Sequence, residues 1–273
     1  MLVERRERDV TLAEARTTTR RVARTFAIAC RLLPREVRDD VYRLYLVFRT
    51  IDDLVDDGHP EARERVDALD AWAAHGEVGS PEALILASLV DRRGLPRGPF
   101  RDFCAGMRDD LAAKPILTED ALDLYCYRVA GTVGLVMAAV LGVRRPGAEP
   151  QAAALGMAMQ RTNILRDIDE DLQLGRIYLA RETVDRLGAP EPGAREALLR
   201  DQIARADRLY DEGIAGIPAL ACGRRAIAAA AAMYREILRQ VERDGYGREP
   251  GRAVVARPRK LFVAARAGLI TPS

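Results

Sequence analysis

Apolar residues recur at helical spacing along almost the whole chain, and proline falls between these runs instead of within them. Leu44, Val47, Phe48, Ile51 and Val55 form one stripe; Leu122, Cys126, Val129, Val133 and Val136 form another. The intervals carry Pro34, Pro60, Pro81, Pro96, Pro99, Pro115, Pro146, Pro150, Pro190, Pro192, Pro218 and Pro250. Proline lacks an N–H and clashes with the preceding turn, so it is tolerated at a helix start or just past its end and marks boundaries. The pattern predicts helices near 11–33, 36–57, 60–75, 81–92, 99–113, 118–143, 149–173, 195–215, 218–244 and 252–267. No alternating pattern competes, so the expected fold class is all-α. Leu187–Gly193 is the longest irregular stretch predicted, far shorter than an interdomain linker, and residues 1–273 are expected to form a single domain. No fixed-period repeat points to a solenoid.

Composition removes several function classes. A formal net charge of +2 gives no case for nucleic acid as a partner. Cys30, Cys104, Cys126 and Cys222 are widely spaced without a CxxC pair, against structural zinc or a disulfide framework and in favour of a reducing, cytoplasmic setting. With two histidines, and His59 beside Pro60 at a predicted helix end, a His-based triad has little to work with. The polar start lacks a secretory h-region. The longest apolar run, Gly131–Val143, is shorter than the ~18 residues of a membrane span. A soluble protein is expected, and nothing forbids peripheral membrane contact. Arg252, Arg257, Arg259, Lys260 and Arg266 follow one another without an acid, as a solvated helix face or an anion-binding one.

Chemistry concentrates in two stretches. In Arg49-Thr-Ile-Asp52-Asp53-Leu-Val-Asp56-Asp57, helical spacing stacks Asp52 on Asp56 with Arg49 on the same side, and Asp53 and Asp57 form a second row. Like charges so placed destabilise a helix by roughly 0.2–0.5 kcal/mol per pair. They also sit near a helix C-terminus, where the macrodipole disfavours anions. A divalent cation would reverse the sign of that problem. With 41 acids in 273 residues, however, acidic i,i+4 pairs arise about six times by chance, so this motif alone also fits a solvated face.

The second stretch adds weight. Gln160-Arg-Thr-Asn163-Ile-Leu-Arg166-Asp167-Ile-Asp169-Glu170-Asp171 aligns Asn163, Asp167 and Asp171 at i, i+4 and i+8, with Gln160 on the same side. Ile164, Leu165, Ile168 and Leu172 surround that line. Polar groups among apolar ones are costly to bury unless they coordinate something. Carboxylate and amide oxygens suit Mg²⁺, which keeps some waters and bridges protein carboxylates to phosphates. Two such stripes facing across a cleft imply a diphosphate as ligand. Arg49, Arg166 and Arg176, beside the acids, then become candidates for phosphate oxygens. Gly131, Gly134 and Gly156 interrupt helical patterns at about 1 kcal/mol each relative to Ala. Either they permit close helix–helix contact or, with Ala138, they hollow out room for a long apolar chain. No glycine-rich nucleotide loop follows a strand.

RTIDDLVDD (Arg49–Asp57) together with QRTNILRDIDEDLQLGRIYL (Gln160–Leu179) strongly resembles the squalene/phytoene synthase family, the head-to-head type of trans-isoprenyl diphosphate synthase. GMRDDL (Gly106–Leu111), YCYRVAGTVGLVMA (Tyr125–Ala138) and TFAIACRLLP (Thr25–Pro34) resemble the same family, and the likeness spans roughly residues 20–265. It implies one isoprenoid-synthase-type helical bundle around a central cavity. It also implies a prenyltransferase in which Asp52, Asp56, Asn163, Asp167 and Asp171 ligate Mg²⁺. Tyr45, Arg49, Gln160, Arg166, Tyr178, Tyr234 and Arg252 would contact a prenyl diphosphate, with Tyr125 near the reacting carbons. The implied reaction joins two prenyl diphosphates head to head to a phytoene- or squalene-like product; the alternative transfers the prenyl group to an aromatic acceptor. Ala23, Cys30 and Pro115-Ile116 depart from the family pattern and bear on the second substrate and the product.

Overall fold

Helices fill the proline-bounded segments of the computed structural model, which describes residues 24–145 and 147–271 with Ala13 and residues 15–17; Ala23 and most of the predicted stretch 11–23 lie outside the described residues. In chain order they are α1 (Arg24–Cys30), α2 (Arg35–Asp56), α3 (Ala62–His75), α4 (Pro81–Arg93) and α5 (Gly98–Leu111). Then come α6 (Glu119–Cys126), a π turn (Tyr127–Gly131), α7 (Thr132–Leu141), α8 (Glu149–Gln173) and α9 (Arg181–Leu187). α10 (Glu196–Gly216), α11 (Arg224–Arg243) and α12 (Arg257–Ile270) complete the order. Among the described residues, extended pairing is limited to one isolated bridge, Val143 to Leu220.

Four expectations are corrected. The predicted helix 118–143 is not uniformly α: the π turn widens its middle and re-aims the faces on either side. A short helix, α9, occupies part of the weakly patterned stretch between the predicted helices 149–173 and 195–215, where no helix was expected; seven residues are too few to show periodicity. The helix expected from 218 begins at Arg224, after a 3₁₀ turn over Ile217–Ala219 and Gly223 at φ +75°. The last helix starts at Arg257, with Pro258 in its first turn, so Arg252 lies outside it.

Two apolar clusters carry the bundle. In the first, α2 buries Leu44, Val47 and Ile51 completely, and Phe48 packs between Phe100 at 5.7 Å and Phe103 at 4.8 Å. Phe100 in turn meets the edge of Trp72 at 5.3 Å, joining α2, α3 and α5. The second holds Leu165, Ile168, Ile203, Tyr210 and Leu238, joining α8, α10 and α11. Each fully buried Leu or Ile contributes ~1.5–3 kcal/mol, enough in sum to fix helices whose polar ends would not hold them.

The segment Glu119–Leu141 runs between the clusters. By length and composition it is a helix able to cross a membrane, which the shorter run Gly131–Val143 did not suggest. Here it packs against α5 and α8 instead. A Cβ on Gly134 would stand 2.2 Å from the Ala152 carbonyl oxygen, and one on Gly156 would stand 2.1 Å from that of Ala130. These glycines therefore serve backbone contact of α8 with α7 and with the π turn, and the idea that they hollow out a chamber is set aside.

Candidate active site

Both acidic stretches occupy the C-terminal ends of their helices, α2 and α8. Each end presents unpaired carbonyls, so carboxylates gather where the backbone field already opposes them. Arg176, in the turn after α8, ties the two ends together. Its backbone N–H donates to the Asp171 carbonyl at 2.8 Å, while its guanidinium donates to Asp56 Oδ1 and to the Asp56 carbonyl, both at 2.9 Å.

On the α2 side, Arg49 Nη1 donates to Asp52 Oδ2 at 3.1 Å and pairs with Asp53 as well. The Asp52 side chain is 42% exposed, yet its pKa is pushed up to about 7, by desolvation first and then by Asp56, against the pull of Arg49. A carboxyl reachable by water but stripped of bulk solvent stands in a cleft, not on an open face. Tyr45, one turn earlier, has its hydroxyl pushed up to about 12, chiefly by burial, and feels Arg49, Tyr234 and Asp52.

On the α8 side, Arg166 Nε donates to Asp167 Oδ1 at 2.8 Å, and Arg252 Nε reaches the same oxygen at 2.9 Å. Burial raises Asp171 to about 6, helped by Asp167 and by Asp56 from the opposite helix. Asn163 Nδ2 donates to Gln160 Oε1 at 3.3 Å, whereas the buried Asn163 Oδ1 has no hydrogen-bond partner. Arg49 Nε is likewise buried without one. Tyr234, on α11, lies within electrostatic reach of both Tyr45 and Arg166.

A third wall closes the site. Tyr125 stacks on Tyr178 with ring centroids 5.4 Å apart and donates its hydroxyl to Asp110 Oδ2 at 3.2 Å. Burial pushes Asp110 up to about 7 despite that bond, with Asp56 and Asp52 adding to the rise. Asp110 was not among the candidates from sequence. The available signal was the Asp109-Asp110 doublet at the end of a predicted helix, but two adjacent acids on an amphipathic helix say nothing about which one turns inward. The structure thus draws Asp52, Asp56, Asp171, Arg176 and Asp110 into one electrostatic neighbourhood, with Tyr125 and Tyr178 beside them. Tyr45, Arg49 and Tyr234 connect it to Gln160, Asn163, Arg166, Asp167 and Arg252. His59 is exposed, and Arg266 belongs to α12, where it too is exposed.

The donor set fits a hard divalent cation shared with a ligand better than one caged by protein alone. Among the described residues, no three acidic side chains form a ready-made metal cage. Yet an unpaired buried amide oxygen and carboxyls held above their usual range are groups that a cation would satisfy. The arginines that pair with these acids are also groups able to pair with an anionic ligand.

Such an all-α bundle is the isoprenoid synthase fold, and the enzyme is a prenyltransferase. The chain belongs to the squalene/phytoene synthase family, whose model matches residues 19–259. It is 37% identical to a 15-cis-phytoene synthase of Synechocystis sp. over 90% of this chain and 81% of that one. It is 39% identical to a phytoene synthase of Thermus thermophilus over 81% of this chain and 80% of the relative. A dehydrosqualene synthase crystallised with ligand superposes with a TM-score of 0.86 at 32% identity, covering 96% of both chains. The squalene synthase HpnC of Alicyclobacillus acidocaldarius gives 0.76 at 26% identity, covering 88% of this chain and 96% of that one.

Proposed function

We propose that the enzyme condenses two prenyl diphosphates head to head, by preference two geranylgeranyl diphosphates to a phytoene-like C40 hydrocarbon. The observation that carries this reading is the pairing of two acidic helix ends, bridged by Arg176 and Asp56, beside an unpartnered buried Asn163 oxygen. The phytoene synthases at 37% and 39% identity support the choice of product class. In the same reading the whole chain acts as one catalytic domain.

Asp52, Asp56, Asn163, Asp167 and Asp171 would hold Mg²⁺. When bound, Mg²⁺ supplies charge neutralisation for the departing diphosphate. Arg49, Arg166 and Arg252 exchange their carboxylate partners for diphosphate oxygens, with Tyr45, Gln160, Tyr178 and Tyr234 as neutral contacts. The allylic cation left behind is attacked by the second prenyl group, giving a cyclopropyl diphosphate and a proton. Loss of that second diphosphate, rearrangement and loss of a further proton give the hydrocarbon. Tyr125 and Tyr178 would present stacked rings toward the cation, with Asp110 holding the Tyr125 hydroxyl in place. The apolar walls exclude water that would quench the cation to an alcohol.

The test is incubation with geranylgeranyl diphosphate as sole organic substrate, with Mg²⁺ and with EDTA, followed by mass spectrometry. A C40 hydrocarbon and two pyrophosphates per product are expected in Mg²⁺, and neither in EDTA. Pyrophosphate release without a hydrocarbon would overturn head-to-head condensation and favour an aromatic acceptor. Full turnover in EDTA would overturn the metal assignment.

A further inference from the structure

Asp169 lies inside the second acidic motif but turns away from it. Residues two apart on a helix lie on different faces, so Asp169 cannot share a ligand with Asp167. Its carboxylate instead receives Arg195 in a bidentate pair, Nη1 to Oδ1 at 2.6 Å and Nη2 to Oδ2 at 2.8 Å. Arg195 is 1% exposed and Asp169 8%, so the pair is screened from solvent.

Both partners also grip the chain that leads to Arg252. Arg195 Nε donates to the Gly247 carbonyl at 3.1 Å, and the Gly251 N–H donates to Asp169 Oδ2 at 2.7 Å. The segment between is built from backbone that tolerates little else: Gly245, Tyr246, Gly247 and Gly251 all have positive φ. At Gly247 a Cβ would stand 2.2 Å from Arg195 Nε, so the guanidinium is seated against bare backbone. The next residue after Gly251 is Arg252, whose Nε rests 2.9 Å from Asp167 on the site face of the same helix.

We infer that the Asp169–Arg195 pair is a positioning device that sets Arg252 over Asp167 and so presents its guanidinium to the substrate's diphosphate. α8 acts as a ruler: one face holds the loop, the opposite face receives the arginine that the loop delivers. Asp169 and Arg195 touch no substrate and act only through Arg252. The inference rests on the reading of Arg252 as a diphosphate contact.

A double-mutant cycle separates the two. Pyrophosphate binding to the full-length protein in MgCl₂ is measured by calorimetry, and KM and kcat are measured with geranylgeranyl diphosphate. Arg252→Ala, which removes one charge-assisted bond, should weaken pyrophosphate roughly tenfold or more. Asp169→Asn should weaken it by a similar factor and raise KM more than it lowers kcat. The double variant should be no weaker than Arg252→Ala alone, since a positioner has nothing left to position. Additive losses would overturn the inference and leave Asp169 a stabilising residue only. An unchanged affinity in Arg252→Ala would overturn the diphosphate role of Arg252 itself, and the inference with it. Should Asp169→Asn fail to fold, Gly247→Ala in the surface loop displaces Arg195 from the other side. Its cycle with Arg252→Ala must give the same non-additivity, and additive losses there sink the inference equally.

Discussion

At the end of α2 the cation that meets Asp52 and Asp53 is Arg49 of the same helix, whereas at the end of α8 the cations that meet Asp167 and Asp169 include Arg252 and Arg195, from distant parts of the chain. Arg49 and Asp52, 32% and 42% exposed at the mouth of the cleft, are three residues apart on one helix, so their pair ties the end of α2 to no other element. Arg195 and Asp169 are both buried. The α2 end is therefore free to rearrange around a ligand, while the α8 end is built in advance by tertiary structure. One helix supplies a movable jaw of charge and the other a fixed one.

The largest effects should come from the acids themselves. Asp52→Asn and Asp167→Asn should each lower turnover of geranylgeranyl diphosphate by at least about 10³-fold, roughly 4 kcal/mol of barrier. They should differ in stability. Asp52→Asn leaves Arg49 with Asp53 and relieves repulsion from Asp56, so the melting temperature should hold or rise. Asp167→Asn leaves Arg166 and Arg252 beside one another with only the more distant Glu170, 3.6 Å from Arg252, to offset them, so it should fall. Equal shifts, read by circular dichroism melts, would break the contrast between the two ends. Arg176→Met comes next. It cuts the side-chain bridge from Asp56 to the α8 turn and should lower kcat/KM by about tenfold, the scale of a charge-assisted bond. A loss as large as that of Asp52→Asn would give Arg176 a direct role on the substrate.

Smaller and purely structural is Gly134→Ala, which forces a methyl to 2.2 Å from the Ala152 carbonyl oxygen and pushes α7 off α8. Overpacking of this kind costs about 1–3 kcal/mol, a few degrees of melting temperature in a chain of this size. Gly98→Ala, with nothing within 4 Å of the new carbon at the first residue of α5, is the control and should hold or slightly raise the melting temperature, since Ala suits a helix better than Gly. A neutral Gly134→Ala would mean that the fixed jaw is not seated by backbone contact.

Most helices were legible because their apolar stripes are long and proline-bounded, as α2 and α8 illustrate. The acidic rows were legible because i,i+4 spacing is a local property. What escaped reading was non-local. Asp110 enters the site because α5 is pressed against the π turn, with Gly106 allowing the approach that a Cβ 2.9 Å from Arg128 Cβ would block. Arg195 is one arginine in a chain rich in them, and nothing near it in sequence announces Gly247 or Asp169. The glycines of α7 and α8 fitted two readings equally until the carbonyls they face were known.

The smallest predicted effect is a slope with pH in the metal-free protein. Asp52 and Asp110 are raised from 3.8 to about 7 and Asp171 to about 6, all led by desolvation. Between pH ~4 and ~7 the folded state thus holds protons that the unfolded chain has released, so stability falls as pH rises through that window. Asp169, Glu119 and Glu236 shift the other way: Arg195 lowers Asp169, while burial is outweighed at Glu119 by hydrogen bonds from Thr183 and Arg161 and at Glu236 by those from Arg259 and Arg243. Their contribution is already complete above about pH 5. The melting temperature should therefore decline from pH 5 to pH 8. Asp110→Asn should flatten the decline, and Asp52→Asn should flatten it more than Asp171→Asn does. Mg²⁺ with pyrophosphate should abolish it, by giving the carboxylates a reason to be charged. A melting temperature that climbs between pH 5 and pH 8 would mean that the acids of the movable jaw are solvated as on an open surface, and the cleft between the two helix ends would have to be given up.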